Sequence, residues 1–215
     1  LSVSNAMGAT ILGGDGDDVI EVDHASSFVF RLDGEYNADD TTLIDGGNGN
    51  DTIKVSNATN GSIIRGGDGN DVLNVESTSS LPDWRGGNST VIDGGNGDDT
   101  VGVGSASNTS GYGGSGNDTI IVDDAHNARI DGEDGNDTIT VNTSHQSLIM
   151  GGDGSDSISV QSASRSTIDS GDGDDAITTD RADTTDIFGG SGNDVIRLTD
   201  ASGTVIDGGD GDDSI

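Results

Sequence analysis

The chain has 215 residues, enough for one or two ordinary globular domains, yet only 29% of them are hydrophobic and 3% are aromatic. Eight Lys and Arg residues stand against 40 Asp and Glu, and the net charge of −32 argues against nucleic acid and anionic membranes as partners. The absence of cysteine excludes disulfides and thiolate metal sites, and no segment has the apolar length of a membrane span or the pattern of a signal peptide.

A chain of this composition cannot bury enough apolar surface to offset the entropy of ordering its backbone, so it is either disordered or folded around a bound cation. The stretch GGDGNDVLNV at 66–75 favours the second interpretation, because it recurs. Copies of the same frame begin at residues 13, 46, 66, 94, 113, 132, 151, 170, 189 and 208, and the last seven starts are spaced by 19 residues. The sequence therefore predicts a repeat protein.

Each repeat, numbered from its first residue, begins with a glycine turn and continues into a strand. Position 4 is Gly and position 6 is Asp in all ten copies; position 8 is always aliphatic, and position 10 is Val or Leu in eight of nine, with Thr179 as the exception. This alternation predicts a half-buried strand with its apolar face inward. The usual Ala at position 13 suits a narrow interior at a second turn. A second strand follows, as in SLIM at 147–150, with Ile at position 18 except where Gly111 stands.

We therefore expect an all-β fold: a right-handed parallel β-roll, or β-solenoid, in which about ten stacked 19-residue coils form two short parallel sheets and a rod of roughly 43 Å. Neighbouring coils must cover each aliphatic face, because no coil can bury its own. The whole chain, 1–215, is predicted to be a single solenoid, and we interpret it as a fragment of a longer chain because it opens and stops within a coil. Residues 23–42 and 76–90 are predicted loop insertions at the second turn, opposite the glycine turn.

The glycine turns predict a column of ion sites. Glycine tolerates positive φ, so GGxGxD can form a tight arc with its carbonyls turned inward, and stacking brings the position-6 aspartates into line. Oxygen ligands in a flexible cage suit Ca²⁺ better than Mg²⁺, whereas zinc and copper prefer nitrogen or sulfur. Ten turns leave nine gaps, and about nine Ca²⁺ ions would bring the net charge of −32 to about −14. The predicted metal-binding residues are Asp18, Asp51, Asp71, Asp99, Asp118, Asp137, Asp156, Asp175, Asp194 and Asp213, with Gly16, Gly49, Gly69, Gly97, Gly116, Gly135, Gly154, Gly173, Gly192 and Gly211.

The stretch GGDGNDVLN resembles the GGxGxDxUx nonapeptide of the RTX calcium-binding β-roll proteins, and the resemblance covers nearly the whole chain. It implies that each ion lies between successive turns, held by main-chain carbonyls and the motif aspartates. An ordinary RTX roll repeats its motif every nine residues and has ion columns on both edges. Here the second half-coil lacks the motif, so we expect a single column, as in the 19-residue coils of large bacterial RTX adhesins. Glu133 and Ser170 replace motif glycines, and we expect weaker or distorted sites there.

The two predicted insertions contain four of the six aromatic residues. Phe28, Phe30, Tyr36, Trp84 and Arg85 are therefore candidate ligand residues, because aromatics on protruding loops can stack on a glycan or anchor a surface protein. The alternative, which we favour, is a local cluster that packs each loop onto the solenoid. No catalytic arrangement is visible: the three histidines are far apart in the sequence, and we expect no enzyme activity from this chain.

The resemblance implies a calcium-binding structural segment of a large secreted or cell-surface bacterial protein, an adhesin or an S-layer-like protein, which folds on type I export into extracellular calcium. Two alternatives stay open. RTX rolls also accompany secreted proteases, lipases and alginate epimerases as non-catalytic modules, and some RTX adhesins bind ice through Thr and Asn ladders. Position 3 contains no Thr in any copy, which speaks against ice. The exposed strand edges at both ends favour end-to-end self-association.

Overall fold

A computed structural model describes residues 1–26, 41–59, 61–79 and 89–215, and every regular element in these ranges is a β-strand. The strand that follows each glycine turn lies in an 11-stranded sheet, here called sheet 1. Its members are β1 (Ser2–Val3), β2 (Ala6–Met7), β4 (Val19–Ser26), β6 (Thr52–Thr59), β8 (Val72–Ser79), β10 (Thr100–Ser107), β12 (Thr119–His126), β14 (Thr138–His145), β16 (Ser157–Ser164), β18 (Ala176–Asp183) and β20 (Val195–Ser202).

The strand that leads into each glycine turn lies in a 10-stranded sheet, here called sheet 2. Its members are β3 (Thr10–Asp15), β5 (Leu43–Asn48), β7 (Ile63–Asp68), β9 (Thr90–Asn96), β11 (Thr109–Ser115), β13 (Arg129–Asp134), β15 (Leu148–Asp153), β17 (Thr167–Asp172), β19 (Asp186–Ser191) and β21 (Val205–Asp210). The described residues contain no helix long and apolar enough to cross a membrane.

All neighbouring strands are parallel, and each residue pairs with the residue at the same repeat position in the next coil. Ile120 of β12, for example, pairs with Val101 before it and with Ile139 after it. The chain therefore alternates between the two sheets and advances by one strand per coil, which confirms the predicted β-solenoid of about ten 19-residue coils. The predicted insertions, 23–42 and 76–90, begin inside β4 and β8; their residues 27–40 and 80–88 lie outside the described residues.

The aliphatic positions of the repeat form one continuous core between the sheets. Positions 8 and 10 of sheet 1 face position 18 of sheet 2, and Ile120, Val122 and Ile130 show the pattern with 0% exposure each. Alanine at position 13, such as Ala125, closes the core beside the second turn. The predicted alternation is thus confirmed in the interior coils, with buried Thr179 at position 10 and Gly111 at position 18 as the two departures.

The second turn is closed by hydroxyl groups, a feature that the sequence reasoning missed. Position 16 is Ser or Thr in eight of ten coils, and these side chains are buried in all of them but Thr204. Ser147 donates to the carbonyl of His145 at 3.1 Å, and Thr185 donates to that of Asp183 at 3.2 Å, so these hydroxyls satisfy carbonyls of their own turn. This edge of the solenoid therefore completes its hydrogen bonding without an ion.

Candidate metal centre

The glycine turns stack so closely that side chains are excluded from them. Positions 2 and 4 have positive φ, 117° at Gly114 and 135° at Gly116. A Cβ added at Gly116 would lie 2.6 Å from the carbonyl carbon of Gly97 in the preceding coil, which is far inside van der Waals contact. At position 4, which is Gly in all ten copies, glycine provides both a left-handed backbone and contact between the main chains of adjacent turns.

The position-6 aspartates form a ladder that connects the coils. One carboxylate oxygen, Oδ1, accepts a hydrogen bond from the main-chain N–H of the aspartate in the preceding coil. Asp118 N donates to Asp137 Oδ1, and Asp137 N donates to Asp156 Oδ1, both at 2.7 Å. The same bond recurs at every step from Asp18 to Asp213. Half of each carboxylate is therefore used to hold adjacent coils in register.

The other carboxylate oxygen, Oδ2, is buried and has no hydrogen-bond partner in eight of these aspartates, which are themselves only 1–3% exposed. These are Asp51, Asp71, Asp99, Asp118, Asp137, Asp156, Asp175 and Asp194. A buried carboxylate oxygen without a partner costs free energy unless a cation or donor compensates it. One or two such atoms could be local defects, but a row of eight at one repeat position indicates a row of cation sites.

Each Oδ2 faces a small space bounded by main-chain oxygen, which we call the cradle. It lies beside the glycine at position 1 and between adjacent coils. A Cβ added at Gly113 would stand 2.5 Å from Asp118 Oδ2 and 2.7 Å from the carbonyl oxygen of Gly132 in the next coil. The carboxylate oxygen and the carbonyl oxygen of the next coil therefore lie side by side at this glycine, and both are hard oxygen donors of the kind that Ca²⁺ prefers.

Burial and mutual repulsion raise the pKa of seven column carboxyl groups. Desolvation is the main cause. The hydrogen bond from the N–H of the preceding coil lowers the pKa, and neighbouring carboxylates raise it further. The pKa reaches about 7 for Asp99, about 6 for Asp118 and about 7 for Asp156. The same main cause raises the pKa of Asp71, Asp137, Asp175 and Asp194. A divalent cation would favour the ionised form of every one of these groups.

The described ranges contain no cluster of three or more His, Cys, Asp or Glu side chains able to hold a metal. The cradle is consistent with that finding, because its oxygens come partly from the main chain and each coil contributes a single motif carboxylate. An all-oxygen donor set of this kind suits a hard cation such as Ca²⁺ and offers neither the nitrogen nor the sulfur that zinc and copper prefer.

Comparison with known families identifies the repeat. The family described as RTX calcium-binding nonapeptide repeat (4 copies) matches residues 9–23, 38–55, 59–77, 112–143 and 182–200, just under half of the chain. These five segments of the chain match RTX calcium-binding repeats. No curated protein and no solved structure gives a significant match.

The RTX frame continues into coils outside the matched ranges. Asp99, Asp156 and Asp175 lie in the same ladder as Asp118 and Asp194, with the same Oδ1 acceptor role and the same buried Oδ2. The structure thus brings the predicted aspartates and position-4 glycines together along one edge. The candidate loop residues Phe28, Phe30, Tyr36, Trp84 and Arg85 lie outside the described residues.

Sequence reasoning missed the position-1 residue, although it is Gly in nine of ten copies. The predicted position-4 glycines shape the RTX turn and donate their N–H to the next coil, as Gly116 does to Asp134 O at 2.8 Å. The position-1 glycines instead border the cradle and contribute a carbonyl oxygen to the cradle of the coil before them. The glycine at position 1 is visible in the sequence. Because glycine has no side chain, however, the sequence does not show that this residue borders the space for an ion.

Position 5 forms a second ladder on the outside of the RTX turns, and its bonds run in the opposite direction. Asn117 N donates to Asp98 Oδ1 at 2.8 Å, and Asn136 N donates to Asn117 Oδ1 at 3.0 Å. Each side chain here accepts from the following coil, whereas each position-6 side chain accepts from the preceding one. The turn is therefore held to both neighbours by side-chain acceptors within two consecutive residues.

The two departures from the motif differ in kind. Glu133, at position 2, keeps a left-handed conformation with φ of 74°, and it still pairs with Gly114 and Gly152. Its backbone is shifted from that of the glycines at this position, whose φ lies between 94° and 121°. Ser170, at position 1, is fully buried, and its side chain enters the cradle region.

Proposed function

We propose that the chain is a calcium-dependent structural segment in which Ca²⁺ ions lie in a single column, held by the position-6 aspartates and the main-chain oxygens of adjacent turns. The observation that supports this best is the row of eight buried Oδ2 atoms without partners, seven of which lie beside the same position-1 glycine as a carbonyl oxygen of the next coil. When bound, Ca²⁺ would supply positive charge and oxygen coordination between adjacent turns.

The edge of the solenoid formed by the second turns differs from the glycine-turn edge, which is evidence for a single ion column. There the carbonyls are satisfied by the hydroxyls of position 16, for example by Ser166 with the carbonyl of Ser164 at 3.2 Å. No position-16 side chain carries a negative charge, and no row of unpartnered oxygens occurs at this edge among the described residues. The two edges thus differ in charge and in hydrogen bonding.

The net charge indicates the kind of environment in which the chain would fold. A chain with a net charge of −32 and a column of buried carboxylates is poorly suited to fold where calcium is scarce. Extracellular calcium modules have Kd values of about 10⁻⁴–10⁻³ M, so folding would follow transfer to a calcium-rich medium. We therefore propose that the segment belongs to a large secreted or cell-surface bacterial protein, such as an adhesin or an S-layer-like protein, and serves there as a stiff spacer.

Circular dichroism during a calcium titration tests the proposal directly. We expect a largely disordered spectrum in chelator that changes to β-structure as calcium approaches about 1 mM, whereas magnesium at the same concentration leaves it disordered. Complete β-structure in excess chelator would contradict the proposal. It would mean that the aliphatic core alone stabilises the solenoid.

A further inference from the structure

One cradle differs from the others, and the difference lies in its position-1 residue. Ten stacked turns leave nine gaps between coils, and glycine borders the cradle in every gap except the one that begins at Ser170. The inference drawn from this difference rests on the proposed calcium column and refines it.

The side chain of Ser170 is directed into its cradle. Ser170 is 0% exposed, and its Oγ donates a hydrogen bond to the carbonyl oxygen of Gly189 at 2.6 Å, with a longer contact of 3.5 Å to the carbonyl of Phe188. The carbonyl of Gly189 corresponds to the main-chain oxygen that borders the cradle in the other gaps, as the carbonyl of Gly132 does beside Gly113. The hydroxyl has therefore taken a calcium ligand of this gap.

The serine also takes the space. At Gly113 a Cβ would stand within 2.7 Å of both cradle oxygens, so any side chain at position 1 lies directly against the atoms that an ion would bind. A serine adds a hydroxyl oxygen to that Cβ. The Ser170 hydroxyl has a single proton, which the 2.6 Å contact directs to the carbonyl of Gly189, although a hydrogen bond from Ser170 is also among the causes that lower the pKa of Asp175.

We propose that the gap between the coils beginning at 170 and 189 holds no calcium ion, and that the Ser170 hydroxyl takes its place. The column is then divided into a long run on the N-terminal side and a short run on the C-terminal side. The aspartate ladder continues across the division, because Asp156 N still donates to Asp175 Oδ1 at 2.7 Å and Asp175 N to Asp194 Oδ1 at 2.9 Å. The coils therefore stay in register across the gap in which the ion column is interrupted.

Native mass spectrometry of the calcium-loaded chain tests this inference, because it counts bound ions as integers. We expect Ser170→Gly to bind one Ca²⁺ more than the wild type, since it restores the residue found at this position in the other nine coils. Ser170→Ala should gain none, because its Cβ still fills the cradle. Ser191→Gly, an equivalent change at an exposed position of the next coil, is the matched control and should also gain none.

The outcomes separate this inference from the function on which it depends. Equal ion counts in the wild type and in Ser170→Gly would overturn the inference alone, and would mean that the serine oxygen acts as a ligand or moves aside. An additional ion in Ser170→Ala would overturn the argument from space. A wild-type chain that binds no calcium, and shows no calcium-dependent change in circular dichroism, would overturn the proposed function as well.

Discussion

Replacement of Asp137 by Asn separates the two tasks of a column aspartate. The variant keeps an Oδ1 atom that can accept from Asp118 N, so the ladder bond, worth about 1 kcal/mol, is retained. The amide places an N–H donor where the buried Oδ2 faces the cradle, which removes an ion ligand and its charge. If one ion with a Kd of about 0.1–1 mM is lost, stability at about 10 mM calcium should fall by about 1.4–2.7 kcal/mol. For a chain of this size the melting temperature should fall by roughly 3–11 °C.

The assay is thermal unfolding followed by circular dichroism at a series of calcium concentrations. Asp134→Asn is the matched control, because it removes the same charge from an exposed position three residues earlier and should change stability by no more than about 0.5 kcal/mol. The difference between the two variants should widen as calcium rises, since only Asp137 contributes to a cradle. Identical calcium dependence in both variants would refute the assignment of Oδ2 as a ligand.

Two further predictions follow from the pKa values and from the motif departure at Glu133. In chelator, acidification from about pH 8 to about pH 5 should increase β-structure, because the pKa of Asp99 and Asp156 is raised to about 7 and the folded state therefore binds protons more tightly than the unfolded state. This stabilisation is fully present below the ordinary pKa of 3.8 and is lost progressively as pH rises to about 7. A circular dichroism signal that is constant over this range would argue against the buried, ion-free carboxylates. Glu133→Gly should raise the free energy of unfolding in calcium by about 1 kcal/mol, because glycine adopts positive φ without the strain of a side chain. Urea unfolding measures this change, and a variant no more stable than the wild type would show that the left-handed Glu133 is not strained.

The repeat period determined most of what the sequence could predict. Because the side chains of a strand alternate and the period is constant from residue 94 onward, Ile120 must follow Val101 and precede Ile139 in one column, and the core follows from that register. The location of the aspartates along one edge follows in the same way. A 19-residue period with aspartate at one position cannot place that residue anywhere else.

The finer features could not be predicted, because they depend on the orientation of atoms within the turn. The sequence shows an aspartate at position 137, but it does not show that Oδ1 binds a neighbouring N–H while Oδ2 stays free. It likewise shows a serine at 170 in place of glycine, without indicating that the hydroxyl would reach the carbonyl of Gly189. The second turn was underestimated for a related reason: Ser147 and Thr185 look like ordinary polar turn residues until their hydroxyls are seen to be buried.

The arrangement of the two carboxylate oxygens explains how ion binding and folding can be coupled along the rod. Asp137 accepts from Asp118 of the preceding coil through Oδ1, and its Oδ2 faces the cradle that it shares with the following coil. Neutralising Oδ2 would therefore fix the same carboxylate that holds the preceding coil, so each site connects three consecutive coils. Stability in such an array depends on interactions between neighbours, and a coil in the interior gains more from an adjacent folded coil than from its own contacts. With ions bound, the aspartates would give an acidic, weakly hydrophobic chain the cooperativity that a larger core provides in other folds.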